Sequence, residues 1–467
     1  YSSERKKFVI PYLNKDFNID NFRQGAYLEK IDEFDYEYFG MTPKEANLTS
    51  PLLRMIITNV IAMLDTSGYR NKIVGSNTGL FTAAIGDIDI LTYKELIKNN
   101  CITDLPLAVT GNMLSMINGR LTNLLDLKGP AEVIDTACSS ALVAIHKACQ
   151  AIKAQECDTA IVCSGRIHLV PSSDGCFNIG IESADGNTRT FDRNASGSGF
   201  GEGIGCVLLK SLKNAKRDGD YIYAIIKGSA VNQDGTSMGL TVPNPNAQKS
   251  VICQAWEAAG INPEELTYIE CHGTATPIGD PIEINGLTAA FRKYTDKKQF
   301  CAIGSVKSNY GHLLECAGMI SFIKAVLCLV KHELPPTINL ACPNEEINFL
   351  ESPIYLNNKL KKWKSEGDKS ICGISSFGLS GVNCHIVLED YFNNNLGYSN
   401  DADMEILTLS AQTKKVLFNN IKNLKQYLKL NSQTSLLSLT YMENIINQNF
   451  KYRVAILASS VSELEKK

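Results

Sequence analysis

The chain has 467 residues, 44% of them hydrophobic and 20% charged, so it can bury a large core and is not intrinsically disordered. Its length is roughly three times that of a usual domain, a prior for two or three units. With 46 basic against 49 acidic residues and no long run of either sign, the balance argues against a nucleic-acid or membrane-surface protein.

Residues 1 to about 55 read as irregular and lightly helical. Short β-rich runs then alternate with helical patterns. Lys72 to Phe81 is expected as a strand and turn, and Ala131 to Asp135 as a short strand. Ser139 to Ala154 is a helix, with Ala141, Leu142, Ile145, Ala148 and Ile152 near a 3.6-residue period. Thr159 to Ser164, Gly203 to Lys210 and Tyr221 to Ala230 follow as strands, then a helix from Asn246 to Ala259. Thr267 to Cys271 and Ala302 to Ser305 are strands, and Ala317 to Lys331 is a helix. Ile371 to Phe377 and Asn383 to Glu389 are strands on either side of a glycine-rich turn. This alternation predicts a layered α/β core.

From Tyr391 to Asp403 the composition turns to Asn, Gly, Ser and Asp, which reads as a linker. Beyond it come a strand (405–409), two helices (412–430 and 435–448), a strand (452–459) and the start of a last helix, a small α/β appendage. The expected division is 1–390, a linker at 391–403, and a flanking subdomain at 404–467. No signal peptide is expected from Tyr1 to Leu13. The most apolar stretch, Met319 to Val330, falls short of the ~20 residues of a spanning helix.

The fifteen cysteines include no Cys-x-x-Cys pair, so zinc and redox-dithiol signatures are missing and most thiols are expected reduced and buried, as in the cytoplasm. Cys138 differs, because Asp135-Thr136-Ala137-Cys138-Ser139-Ser140 lies where a strand ends and a helix begins. Helix-start amides favour thiolate over thiol, as a nucleophile requires; a small core residue with Ser139 and Ser140 as caps fits the same local pattern. Of the six histidines, His272 and His312 sit in glycine-bearing turns, Cys271-His272-Gly273-Thr274-Ala275-Thr276 and Lys307-Ser308-Asn309-Tyr310-Gly311-His312. Such turns project groups into a cleft. His146 reads as packing, His385 as hydrogen-bonded in the core, and His332 as a helix end. One Cys with two such His suits acyl-thioester chemistry, with neutral imidazole N–H groups stabilising an enolate and Lys307 tuning His312. A metal site is the weaker reading, for want of further ligands at the right spacing. The turn Ser375–Gly381 can aim an amide at a thioester oxygen or be an ordinary tight turn. Gly197 to Gly205 lacks the ending of a phosphate loop.

At these residues the chain resembles the ketosynthase (beta-ketoacyl synthase) domains of modular polyketide synthases, in the thiolase superfamily. The likeness runs from about Gly25 to about Asp390. It includes Asp135–Ser140, His272–Asp280 with Pro281-Ile282-Glu283, Lys307–His312, Pro335-Pro336-Thr337-Ile338-Asn339 and Ser375–Gly381. The resemblance implies a five-layered α-β-α-β-α fold of two similar halves and a homodimer. It implies Cys138 as acyl-accepting nucleophile, His272 and His312 acting on malonyl decarboxylation, and Lys307 supporting His312. Thr274 and Thr276 would contact the phosphopantetheine arm, Phe377 and Leu379 would border the substrate, and the amides of Cys138 and Leu379 would form the oxyanion hole. No metal or resident cofactor is implied. Acyl carrier protein is the implied partner, met through a local basic patch, beside neighbouring synthase domains. The flanking piece fits a synthase whose acyltransferase is a separate protein, and a piece cut before an integrated one reads the same. A non-elongating ketosynthase and an idle docking scaffold are the alternatives. The family's first strand is missing, Thr49–Arg54 replaces an Asp-Pro-Gln-Gln-Arg run, Ala275 a glycine, and Leu379 a phenylalanine.

Overall fold

The computed structural model describes residues 5, 23–86, 93, 105–169, 180–237, 239–363, 369–393, 404–431, 434–446 and 450–467. Residues 394–403 of the expected linker, and most of the segment expected to lack its first strand, lie outside these. The chain divides into two compact units. One is Tyr1–Phe34, Thr42–Val60 and Gly75–Asn393; the other is Asp35–Met41, Ile61–Val74 and Asn394–Lys467. The second unit thus takes in two early segments that a simple cut near residue 390 leaves out.

Helix α1 (Pro51–Thr66), of which Pro51–Val60 belongs to the first unit, begins inside the run expected to be irregular. Proline suits the first helical position, and Leu52, Leu53, Ile56, Ile57 and Val60 bury one stripe behind it. Strand β1 (Thr78–Ala83) follows; of the Lys72–Phe81 run read as a strand and turn, Lys72 and Ile73 fall instead in a short helical turn, Arg70–Ile73, which belongs to the second unit. Helix α2 (Ser115–Leu125), β2 (Ala131–Ile134), α3 (Ser140–Lys153), β3 (Thr159–Arg166) and β4 (Gly203–Lys210) complete the first half. The second half has β5 (Ala224–Gln233), α4 (Pro245–Ala259), β6 (Leu266–Glu270), α5 (Gly279–Phe291) and β7 (Cys301–Gly304). It continues with α6 (Ala317–Lys331), β8 (Ile354–Leu356), β9 (Ile371–Phe377) and β10 (Val382–Asp390).

Among the described residues the first sheet has strand order β2-β1-β3-β4, the second β8-β7-β6-β9-β10-β5. In the first, β2, β1 and β3 are parallel and β4 antiparallel. The run β7-β6-β9-β10 repeats that pattern, parallel twice and then antiparallel. The two halves are therefore alike in topology. Between the sheets lie α3 and α6, with Leu142, Ile145, Phe322 and Leu329 packed on Val162, Ile374 and Ile386. On the far face of the second sheet, α4 and α5 bury Val251, Trp256, Leu287 and Phe291 against Ile269, Ile303 and Val387. On the far face of the first, α2 meets β1 and β2, and Leu52 and Ile56 of α1 approach Gly165. Sheets covered on both faces explain the uninterrupted apolar strands. This is the five-layered thiolase-like arrangement.

The second unit pairs β11 (Glu405–Ala411) with β12 (Tyr452–Ala458) antiparallel, beside α7 (Lys414–Leu430) and α8 (Leu436–Ile446). Its core is Leu407, Leu409, Leu428, Leu439 and Leu464. Among the described residues no helix is long and apolar enough to cross a membrane.

Candidate active site

The end of β2 hands the chain into Asp135–Ser140. Ala137 turns it with φ at +53°, the left-handed region that costs a non-glycine residue about 1 kcal/mol. The turn is lashed by its serines: Ser139 Oγ donates to the Thr136 carbonyl (2.8 Å), and Ser140 Oγ donates to the Ala137 carbonyl (2.6 Å) and accepts the Thr136 amide (2.8 Å). Ser139 makes no capping bond to α3, so the pair builds the turn rather than capping the helix. Cys138 is left at the head of α3, 6% exposed.

A second turn closes over it. Ser376 Oγ, at the end of β9, donates to the Cys138 carbonyl (2.9 Å). A Cβ on Gly378 would meet the Thr136 carbonyl oxygen at 2.4 Å, so only glycine lets the two turns approach this closely. The backbone amides of Leu379 and of Cys138 itself lie near enough to the Cys138 sulfur to favour its charged form. Burial nevertheless pushes the thiol pKa up, against the lowering pull of the Lys307 charge and the two amides, with Glu315 adding to the rise. The helix start alone does not give the standing thiolate expected from its position. Cys138 rests as a thiol, with one cation and two amides placed to receive the thiolate when it forms.

His272 leaves the end of β6. Its amide and that of Gly273 donate to the two oxygens of Glu283 on α5 (2.7 and 2.8 Å). Asp280, in the first turn of α5, accepts the amides of Ala275 (3.0 Å) and Phe191 (2.7 Å). Ala275 is thereby held at a φ of +58°, where the family commonly has glycine. Burial pushes Asp280 up to about 8 and Glu283 up to about 7. Lys307, 1% exposed, contacts His272, while its charge also acts on His312 as expected. Its Nζ donates to the His272 carbonyl (2.5 Å) and lies 3.4 Å from the ring Nδ1. The short helix 307–310 turns the side chain back toward β6, away from its near neighbour in sequence.

His312 lies 5.6 Å from His272, ring centre to ring centre, at 86°. Its Nδ1 accepts the Leu314 amide (3.0 Å), and its Nε2 is buried without a hydrogen-bond partner. A neutral imidazole has one N–H. An accepting Nδ1 puts it on Nε2 in His312, and an ammonium beside Nδ1 does the same in His272. Burial holds both rings well below the ordinary histidine pKa, reinforced by the Lys307 charge in each and by Arg166 at His312. The result is two adjacent neutral N–H donors, the electrostatics suited to an enolate oxygen.

Phe377 sits 5.8 Å from the His272 ring, and Leu379 follows it in the turn. Thr274 and Thr276 are partly exposed, with hydroxyls 3.2 Å apart and the Gly279 amide bonded to Thr276. The other histidines stay outside the cluster: His146 pairs with Ser229 and His332 ends α6. Among the described residues no group of His, Cys, Asp and Glu is arranged to hold a metal ion. Sequence reasoning missed Glu283 and Asp280 as anchors of the His272 turn. Two acids three residues apart, opening the helix that follows that turn, were the signal. It also missed Glu270, which accepts the Val306 amide (2.6 Å) and pairs with Lys324 (2.7 Å), fixing the start of the Lys307 turn.

Comparison with known proteins agrees with this geometry. Residues 14–215 match the beta-ketoacyl synthase N-terminal domain, 223–341 its C-terminal domain, and 343–457 the ketoacyl-synthetase C-terminal extension. The ketosynthase from module 6 of the bacillaene synthase of Bacillus subtilis 168 is 36% identical, with a TM-score of 0.82 over 94% of this chain and 75% of that one. Ketosynthase twelve of the Bacillus amyloliquefaciens bacillaene polyketide synthase is 31% identical, with a TM-score of 0.88 over 100% and 81%. Polyketide synthase PksL of B. subtilis is 37% identical over 459 residues, 97% of this chain but 10% of its own length. The chain thus spans about a tenth of that curated relative. The chain belongs to the beta-ketoacyl synthase family, as a ketosynthase of the polyketide synthase kind, the carbon–carbon bond-forming class.

Proposed function

We propose that Cys138 accepts an acyl chain from the phosphopantetheine thioester of an acyl carrier protein, and that the domain extends it with a malonyl unit by decarboxylative Claisen condensation. Cys138 gives up its proton and its thiolate attacks the thioester carbonyl, while the oxyanion sits between the amides of Cys138 and Leu379. As the carbon–sulfur bond to the carrier breaks, the carrier leaves as a thiolate that takes up a proton, so the proton count is unchanged. A malonyl thioester then binds and loses carbon dioxide. Its enolate oxygen accepts the Nε2–H groups of His272 and His312, and its carbon attacks the acyl-cysteine. As the carbon–carbon bond forms, the carbon–sulfur bond breaks and sulfur regains its negative charge. The observation that carries this reading is the buried, unpartnered Nε2 of His312 facing a site whose second imidazole is held neutral. Thr274 and Thr276 guide the phosphopantetheine arm; Phe377 and Leu379 border the acyl chain.

Wider expectations belong to the same reading. It places the catalytic domain at 1–390 and the flanking subdomain at 404–467, in the cytoplasm, with no resident cofactor. Homodimerisation is supported by β2, an edge strand among the described residues, with Ala131 and Glu132 exposed. An acidic carrier is suited by α7, whose Lys414, Lys415, Lys422, Lys425 and Lys429 have no acid beside them in the helix. A separately encoded acyltransferase and neighbouring synthase domains complete the assembly.

The test is intact-protein mass after exposure to a panel of acyl thioesters, followed by malonyl-carrier. Cys138→Ala should take up no acyl group, and acylation that persists would refute the nucleophile. His272→Ala should be acylated but fail to extend. Acylation of the unmodified protein with no extension on any primer would instead establish the non-elongating role.

A further inference from the structure

One histidine outside the reacting group is tied to it through the strand pair that carries the Leu379 amide. His385, on β10, is fully buried, and its Nε2 lies 3.2 Å from the indole Nε1 of Trp256 on α4. An indole N–H only donates, so Nε2 must accept. Neutral His385 therefore carries its proton on Nδ1, and Nδ1 lies 2.9 Å from Ser375 Oγ on β9. Burial, pulling the ring down to about 3, keeps it neutral. The tautomer is the opposite of that in His272 and His312.

Ser375 and His385 are direct cross-strand partners, and Phe377 and Asn383 are the next pair on that face before the turn Gly378–Gly381. Gly373 leaves the bay for the imidazole, since a Cβ there would meet His385 Nε2 at 2.7 Å. Trp256 is fixed in turn against Phe291, ring centres 4.7 Å apart. The next residue on β9, Ser376, faces the opposite side of the sheet and holds the Cys138 carbonyl. A one-residue slip of β9 against β10 would exchange these faces, withdrawing the Ser376 hydroxyl and the Leu379 amide together.

We propose that His385 is a positioning residue of the condensing site: the directed chain Trp256 N–H to His385 to Ser375 locks the register of the β9–β10 hairpin and so places the Leu379 amide at Cys138. The role in acylation rests on the oxyanion assignment proposed above; the placement at sulfur does not.

Two substitutions separate this from packing. In His385→Asn the side-chain amide keeps a partner at the Nδ1 position for Ser375. In His385→Gln it reaches toward Trp256 and leaves Ser375 without its donor. Iodoacetamide alkylation of Cys138, read by mass, reports the amide at sulfur; acyl-thioester loading reports the oxyanion hole. The Asn variant should stay within about threefold of the unmodified protein in both. The Gln variant should be alkylated about tenfold more slowly at pH 7.5, recover at pH 10.5, and load about tenfold more slowly, about 1.4 kcal/mol in each barrier. Gln equal to or faster than Asn would overturn the proposal, because a space-filling role favours the longer side chain. Slowed alkylation with normal loading would leave the placement standing and sink the oxyanion assignment. Should both variants melt too low to assay, ¹⁵N spectra of the unmodified protein decide: His385 with its proton on Nε2 would overturn the chain, and on Nδ1 would support it.

Discussion

Replacing Lys307 by Met tests what keeps His272 neutral. Methionine has nearly the length of lysine and fills the same buried slot, but it removes the ammonium 3.4 Å from Nδ1 and the bond to the His272 carbonyl. At that distance and an effective dielectric constant of about 20, the repulsion between the ammonium and an imidazolium is about 5 kcal/mol, an upper limit once the site relaxes. Every 1.4 kcal/mol lost shifts the ratio of neutral to protonated ring tenfold toward imidazolium. The sign is fixed by the direction of the effect. Burial and Lys307 hold His272 and His312 below the ordinary histidine value, so both stay neutral as the pH falls to 6. Without the charge, both regain affinity for a proton and the neutral donors are lost on the acid side. The assay is decarboxylation of a malonyl thioester between pH 8 and pH 6, which needs no cysteine thiolate and so is not confounded by the loss of the same charge at Cys138. The variant should lose at least about tenfold more activity over that range than the unmodified protein, whose own decline reflects Asp280 and Glu283, pushed up to about 8 and about 7. Parallel profiles would refute the reasoning and leave burial as the sole cause of neutrality.

Gly378→Ala forces a methyl to within 2.4 Å of the Thr136 carbonyl, and overpacking of this kind costs about 1–3 kcal/mol. The turn should swing away from Cys138, cutting acyl loading at least about tenfold, as read by intact mass; unaltered loading would show that the turns need not touch. Ala275→Gly relieves a left-handed φ worth about 1 kcal/mol but gains chain entropy in the unfolded state, about 0.4–1 kcal/mol. The net change in urea denaturation should be under about 1 kcal/mol, and a larger loss would mean that the Ala275 methyl is a packing group. Glu270→Gln strands Lys324, 2.7 Å away in the core, and should lower stability by about 3 kcal/mol. Glu270→Gln with Lys324→Met should recover part of it; a double variant no better than the single would place the loss in the Val306 amide bond instead.

Much of the site was legible because its chemistry is concentrated in short turns. Cys138, His272 and His312 each follow a strand and precede a helix, and glycines or serines flank each one. Helix 317–331 and strand 371–377 have the bounds that periodicity predicts. Other elements were hidden by residues that usually break helices. Pro51 opens α1 inside the run expected to be irregular, and Gly279 and Pro281, residue types that disfavour helix interiors, occupy the first turn of α5, where an amide donor is not needed. The contact of Lys307 with His272, beside its expected pull on His312, was hidden for a related reason. Five residues separate it from His312 in sequence, but the direction of a side chain depends on the turn that carries it.

The repeated topology explains how three candidate groups so far apart in sequence come from corresponding places in the two halves. Cys138 follows β2 and opens onto α3, while His312 follows β7 and leads into α6; β2 and β7 hold the same place in their sheets, each next to the strand that precedes it. The thiol and one imidazole are therefore topological counterparts, each beside one of the two helices, α3 and α6, that pack together between the sheets. No fixed-period repeat marks this in the sequence, because the two halves share a burial pattern and not residues. Thr159–Arg166 and Ile371–Phe377 are both buried throughout, yet they are TAIVCSGR and ICGISSF. Burial constrains polarity and volume and leaves identity free, so a pair of equivalent folds can place a cysteine at one helix start and a histidine at the other. On the proposed reading, acylation and decarboxylation fall to the two halves of one site, and His272, from the end of β6, joins the half that holds His312.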